Sequence, residues 1–515
     1  MANAERKVLF IVADQWRWDC LSKIDGHPVR TPHLDALASE GVLFRNHFSQ
    51  ASPCGPSRAS LLTGLYQMTH RSVANGTPLD NRFTNLAREV RAGGLRPILF
   101  GYTDTSADPR LHSAEDPVLT SYEGVLPGFD VGYRMTEEYA LWRAALKRRG
   151  YTQVDTPTAP FVTAAEDGHL HSRAAAVYSA EDSLSAHSAD TFLEWYDVEA
   201  HSDWLAHLAF MHPHPPLVAP APYNDMFEPA DCPAPRRAAS PEEEASLHPY
   251  LAWYHARGKT LQYHADLAIK FSELDDEETR RVRSTYYGLI AEADAQIGRI
   301  LDRLKETGDY ERTLIVFTAD HGEMAGDHWM FGKDGFFDPA FHVPLIVRDP
   351  REQASETRGS VVEAFTESVD IMPTILDWLG QQPPPQCDGH SLLPFVHGAP
   401  PERWREEAHW EFDFRDPVKR SAETFLNLSG DRCCLSVHRG TRYKYVHFAG
   451  LPPLLFDLAE DPQETRNLAE LSEYREVTLR CAQDLLSWRM AHADRTLANS
   501  LLTENGVVTL HDPRV

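Results

Sequence analysis

Apolar residues in this chain gather into short unbroken runs that stop abruptly at polar clusters. Residues 7–13 lead into Asp14-Gln15, 97–101 into Tyr102-Thr103-Asp104, 205–211 into His212-Pro213-His214, and 313–318 into Ala319-Asp320-His321-Gly322-Glu323. Runs that are apolar on both faces predict strands of a sheet covered by helices. Residues 344–347 predict one more strand. Elsewhere the spacing is helical. Leu289, Ile290, Ala293, Ile297, Ile300, Leu301 and Leu304 make a core-facing stripe within 278–305, closed by Gly308. Thr31 and Pro32 predict a helix start, and 368–380 predicts a helix ended by Gly380. Together these elements predict an α/β fold, with a large, mostly parallel sheet flanked by helices. Such open sheets take their ligands at the carboxyl ends of the strands, where the polar clusters stand.

After residue 398 the pattern changes. Residues 443–447 and 454–458 predict a β-hairpin or meander, and 468–493 a final helix. The tail after Asp494 shows no clear periodicity. The expected division is a catalytic α/β domain at 1–398 and a smaller α+β subdomain with a tail at 399–515. At 515 residues the chain exceeds one ordinary hydrophobic core, which fits two units.

With 42% hydrophobic and 24% charged residues, the composition is that of a soluble globular protein. A formal net charge of -26 argues against nucleic acid or an anionic membrane as a partner. An anionic substrate therefore needs local cations or a metal in order to approach. The run at 7–13 is too short for a signal core, and no run approaches the roughly 20 apolar residues of a membrane span. Seven scattered cysteines, at 20, 54, 232, 387, 433, 434 and 481, suggest a reducing, cytoplasmic setting without a disulfide framework.

The stretch from Ser52 to Gly64 changes the picture most. Pro56 suits the first turn of a helix, so Cys54 lies near its N-terminus, where unpaired N–H groups and the helix dipole favour negative charge. Arg58 adds a fixed cation to the same corner. A lone cysteine is most often a small buried core residue. The other reading is a nucleophile with an anion held against it. Cys54-x-Pro56-Ser57-Arg58, followed by Ala59-Ser60-Leu61-Leu62-Thr63-Gly64, resembles the sulfatase signature, in which the cysteine is oxidised to formylglycine.

Asp14, Gln15, Asp320 and His321 offer carboxylate, amide and imidazole donors at two strand ends, a set suited to one divalent metal, with residue 54 as a further ligand. Taken singly, Asp14 also reads as a turn residue and His321 as a core histidine. Together the residues resemble the alkaline phosphatase superfamily and, within it, the sulfatases. The nearer likeness is to phosphonate monoester hydrolases, which also cleave phosphodiesters, with arylsulfatases as near relatives. It runs from Val8 to Arg495 and includes Thr63-Gly64-Leu65-Tyr66, Pro213-His214-Pro215-Pro216 and Trp410-Glu411-Phe412-Asp413.

The resemblance implies that Asp14, Gln15, Asp320, His321 and formylglycine at position 54 hold the metal, and that Arg58 holds the formylglycine hydroxyl. It implies that Asn75, Tyr102, His214 and Lys333 belong to the substrate site. Asp104 stands where those hydrolases usually carry threonine, and a carboxylate there either repels an anion or pairs with a cation such as Lys333. A homotetramer and a maturation enzyme that oxidises Cys54 are implied as well. In the implied reaction the hydrated aldehyde attacks sulfur or phosphorus in line with the leaving group. The metal, Arg58 and Lys333 stabilise charge, and His214 gives a proton to the departing oxygen. An imidazole ligand favours manganese or zinc over calcium. The expected substrate is a small monoanionic ester: a phosphonate monoester, a phosphodiester or a sulfate monoester. A non-catalytic binding protein of the same fold is expected to have lost the nucleophile or a metal ligand, and here every such position is filled.

Overall fold

The apolar run Lys7–Ala13 is buried along its whole length and lies near the middle of an eight-stranded sheet. The strand order is Ser360–Glu367, Val42–Phe48, Leu345–Arg348, Thr313–Ala319, Lys7–Ala13, Trp204–Phe210, Arg96–Gly101, Asp130–Arg134. Leu345–Arg348 is antiparallel to both neighbours, and the other pairings are parallel. The computed structural model describes residues 6–24, 26–258, 260–264, 267–494, 498 and 500–509.

Alternation along the central strands sends side chains to two cores. Leu9, Ile11, Ile315 and Phe317 face one layer, where Leu289, Ile290, Ile297 and Ile300 of the helix Asp276–Thr307 meet them. Val8, Phe10, Leu314 and Val316 face the other, packed with Leu61 and Leu62 of Cys54–Thr63 and with Ile371, Met372 and Ile375 of Ile371–Trp378. Each such fully buried apolar side chain contributes about 1.5–3 kcal/mol, and the polar residues within these two strands, such as Lys7 and Thr318, are paired, Lys7 with Asp309 and Thr318 with Pro344 O. Lys7–Ala13 pairs with Trp204–Phe210 and with Thr313–Ala319 without a register shift, Ala13 facing Phe210 and Ala319. Asp14 and Asp320 therefore emerge side by side, one residue past the last pair.

The C-terminal part forms a separate four-stranded antiparallel sheet, Glu407–Asp413, Cys434–Gly440, Tyr443–Phe448 and Leu454–Asp457, in chain order. The helix Arg475–Ala491 covers it through Cys481, Leu485 and Trp488, which meet Tyr445 and Leu455. This helix starts later than the apolar spacing predicts. Asn467 Oδ1 accepts from the backbone N–H groups of Leu455 and Ala469, which ties 467–469 to the sheet edge instead.

Three strands of the main sheet escape the periodicity, Val42–Phe48 and Ser360–Glu367 at one side and Asp130–Arg134 at the other, each carrying partly exposed residues, as do Glu407–Asp413 and Cys434–Gly440 of the C-terminal sheet. The tail also holds structure, a hairpin of Ser500–Thr503 with Gly506–Thr509. Arg495, where the family likeness ends, lies outside the described residues. Among the described residues no helix is long and apolar enough to cross a membrane. All seven cysteines are free thiols.

Candidate active site

The helix Cys54–Thr63 is buried at every position, begins at Cys54 itself and closes at Gly64, whose left-handed φ of 68° lets its N–H reach Ser60 O. The turn before it is tightly braced. Gly55 N donates to Asn75 Oδ1 at 2.9 Å, and a Cβ on Gly55 would come within 3.0 Å of that oxygen and 3.1 Å of Asp104 O. Glycine leaves room for this close approach, which a larger residue would crowd.

Cys54, Asp14, Asp320 and His321 converge, each with a donor atom within 4.8 Å of the others. Cys54 Sγ lies 3.2 Å from His321 Nε2, and Asp14 Oδ1 and Asp320 Oδ1 lie 3.6 and 3.7 Å from that nitrogen. His321 Nδ1 lies 3.1 Å from Gly322 O, which fixes a proton on Nδ1 and leaves the Nε2 lone pair facing the cluster. Burial, and then the charge of Lys333, push His321 down to about 3, so the ring is neutral, as a metal ligand must be. Burial acts to raise both carboxyls. His214, Lys333, His321 and Arg58 overcome it at Asp14 and hold that group well below its usual range, whereas Asp320, facing Asp14, is pushed up. Two carboxylates, a neutral imidazole and residue 54, packed this closely, form a donor set that fits a divalent cation.

Arg58 holds the two acids together. Its Nε donates to Asp320 Oδ2 at 3.0 Å, its Nη2 to Asp14 Oδ2 at 3.1 Å and its Nη1 to Tyr102 O at 3.1 Å. Its guanidinium also sits 4.1 Å from the Tyr102 ring centre. The guanidinium thus spans the two carboxylates that flank residue 54. Tyr102 joins it, donating its hydroxyl to Asp14 Oδ2 at 2.6 Å. Loss of one partner from so buried an ionic group costs about 3–5 kcal/mol.

Lys333 Nζ donates to Gln15 Oε1 at 2.9 Å and to Cys54 Sγ at 3.1 Å. Gln15 stands at a left-handed φ of 67° and donates its amide to Glu323, which also accepts from the backbone of Ala325 and Gly332. Glu323 thus links the Gln15 amide to the loop that carries Lys333, a part that the sequence pattern left without a role. His214 Nδ1 lies 2.7 Å from Pro215 O, and burial, then Lys333, lower the ring to about 4. Asp104 has a left-handed φ of 48° and makes no ion pair with Lys333 among the described residues. Burial raises it to about 7, with Asp14 and Asp320 adding to that and Arg58 and Lys333 opposing it.

Asp14, Cys54, Asn75, Tyr102, Asp104, His214 and Lys333 line one cavity, together with Tyr122, Glu123, Met135, Thr136, Glu137 and Met211. Periodicity gave no sign of this second group, most of which lies on irregular chain between 122 and 137. Burial, with Asp14 adding to it, pushes the Cys54 thiol well above its usual value against the pull of Lys333. A thiol held neutral is a poor nucleophile as it stands.

Comparison with known proteins agrees with this fold. The sulfatase family model matches residues 6–381, and a model of the N-sulphoglucosamine sulphohydrolase C-terminal region matches 326–491. The multifunctional alkaline phosphatase superfamily protein PehA of Trinickia caryophylli is 42% identical over 98% of this chain and 99% of its own length. The phosphonate monoester hydrolase structure of Agrobacterium radiobacter superimposes with a TM-score of 0.94 at 47% identity, over 98% of this chain and 100% of that one. That of Silicibacter pomeroyi gives 0.92 at 42% identity, over 99% and 100%. The motif at Cys54, the fold and these alignments lead to one assignment: the chain belongs to the sulfatase family, within the alkaline phosphatase superfamily.

Proposed function

We propose that this protein is a formylglycine-dependent hydrolase of phosphonate monoesters and phosphodiesters, with sulfate monoesters as further substrates. The observation that carries the reading is Cys54 Sγ, set 3.2 Å from His321 Nε2 and 3.1 Å from Lys333 Nζ inside the carboxylate cluster. Two relatives of high identity titled phosphonate monoester hydrolase support the substrate class. When bound, a divalent ion, with manganese or zinc favoured by the imidazole, supplies Lewis-acid charge, and oxidised residue 54 supplies the attacking hydroxyl.

The chain's own groups do the rest. Asp14, Gln15, Asp320 and His321 hold the ion, and Arg58 and Tyr102 fix the carboxylates that face it. Lys333 presents a cation to the nonbridging oxygens of the ester. Pro215 O engages His214 Nδ1, which leaves Nε2 as the nitrogen that can carry a proton to the departing oxygen. Burial, and then the Lys333 charge, keep that ring neutral in the free site, and an arriving anion offsets Lys333 and favours its protonation. Asn75 holds the turn at Gly55 in place. A panel of aryl phosphonate, phosphodiester and sulfate esters under one condition tests the reading. Aryl sulfate as the best substrate by kcat/KM would replace it with an arylsulfatase, and the absence of turnover by fully oxidised, metal-loaded protein would leave a non-catalytic binding protein.

The same proposal places the protein in the cytoplasm, where its free cysteines stay reduced and a maturation enzyme oxidises Cys54. It also makes the protein a homotetramer. Support comes from the exposed apolar residues Leu501, Leu502, Val507 and Val508 of the C-terminal hairpin and Leu479, Leu486 and Met490 of Arg475–Ala491. Light scattering that finds a monomer at micromolar concentration would end that part.

A further inference from the structure

A second group of ligand-type side chains lies on the C-terminal sheet, away from the active-site cavity. Glu407 and His409 are two residues apart on Glu407–Asp413, so both side chains point to one face. His438 is the cross-strand partner of His409, which sets it on that face too. Each of the three offers a donor atom within 4.8 Å of the other two. His409 and His438 are only 4% and 7% exposed. Nε2 of His409 and Nδ1 of His438 are buried without a hydrogen-bond partner among the described residues. Buried polar nitrogens normally have one. The His409 ring is held in plane by stacking on Trp488, with centroids 4.3 Å apart and 6° between planes. Glu407, His409 and Asp484 border a cavity of about 490 Å³ under the helix Arg475–Ala491.

From this placement we propose that Glu407, His409 and His438 form a second metal site, which takes zinc. Two imidazoles and a carboxylate suit zinc and exclude magnesium or calcium as the preferred ion. Asp484, on the covering helix and bordering the same cavity, stands outside this group of three and is the donor a bound ion would draw in, clasping the helix to the sheet. Burial keeps both rings in the neutral form that binding requires, His409 well below its usual range and His438 lowered. None of the three residues lines the active-site cavity. The site is therefore a structural clasp, separate from the catalytic ion.

The test uses tag-free full-length protein equilibrated with zinc chloride, desalted and analysed for metal, as wild type, Glu407→Gln and His438→Gln. The wild type is expected to carry one zinc ion per chain more than either variant, while the variants hydrolyse a phosphonate ester at the wild-type rate. Cobalt(II) in place of zinc is expected to give a visible absorption band that both variants lose. Equal metal content in the three proteins overturns the site. Glu407 is half-buried, so its variant decides the matter even where the buried His438→Gln change prevents folding. Metal content is read without turnover, so failure here leaves the proposed reaction untouched.

Discussion

At the ends of the main-sheet strands, Asp14, Cys54, Asp320 and His321 come from three distant segments, and each is held by a neighbour: Tyr102, Lys333, Arg58 and Gly322 respectively. On the C-terminal sheet, Glu407, His409 and His438 come from two adjacent strands, and two of their nitrogens bond to nothing described. The first cluster keeps its shape through its own hydrogen bonds and ion pairs. The second has sheet register and the Trp488 stack to place it, and leaves two nitrogens unsatisfied. Stripping metal should therefore cost the first rate and the second stability.

The largest effect tests the first cluster directly. Cys54→Ala is expected to abolish turnover while leaving the zinc content of the C-terminal site intact. Peptide mass spectrometry of active wild type should show an aldehyde or its hydrate at residue 54, and full activity with an unmodified thiol there would refute the proposed chemistry.

Next comes Asp320→Asn, which removes one charge from the donor set and one anchor from Arg58. Metal affinity should fall by at least the roughly 10–100-fold seen when a ligand's support is lost, with activity falling alongside. Elemental analysis after dialysis reads the first effect, and unchanged metal content would place the ion elsewhere.

His214→Ala should separate substrates rather than slow all of them. General acid catalysis is worth about 10²–10⁴-fold, so alkoxide leaving groups should lose that much and a nitrophenolate far less. A series of esters of graded leaving-group pKa reads this as a steeper slope in the variant. Parallel lines would make His214 a positioning residue and turn attention to Lys333.

The smallest effect concerns Asp104. Its carboxyl is raised to about 7 by burial first, so it is mostly neutral below that pH and charged above it. The charged form repels an anionic ester. Asp104→Thr should match wild type in acid and gain a few-fold in kcat/KM above pH 7, the order expected of one partly screened charge. A ratio of the two proteins that does not change with pH would remove repulsion as the role of this carboxylate.

Local signals explain how much of this could be read from the chain. The runs at 7–13, 205–211 and 313–318 are mostly apolar on both faces, so their strands and the polar residues after them were legible. Cys54 and the Asp320-His321 pair stand in linear motifs, and the structure brings them together with Asp14. Arg58 was legible as a cation beside the cysteine, but not as a brace between Asp14 and Asp320, because that depends on register between two strands far apart in sequence. The same holds for His409 and His438, separated by 28 residues of chain and opposed only once the sheet forms. Tyr122, Glu123 and Glu137 reach the cavity from loops, which have no period to read. The tail hairpin did leave a trace. Asn505-Gly506 between Leu501-Leu502 and Val507-Val508 is a hairpin-turn signal that a search for longer periodicity passes over.

Cys54 is only 5% exposed, in a helix buried at every position. Under the proposed function this sets a deadline. No second protein can grip a side chain so enclosed, so oxidation has to happen while residues 52–64 are still an extended segment. Folding and maturation then compete for the same polypeptide, and whichever finishes first decides the fate of each molecule. Chains that fold early are well-formed and permanently inactive, and adding the maturation enzyme to them afterwards will not recover them. The fraction active in a preparation is thus a record of relative rates during synthesis. Slower synthesis or more maturation enzyme should raise it without altering the stability of the product.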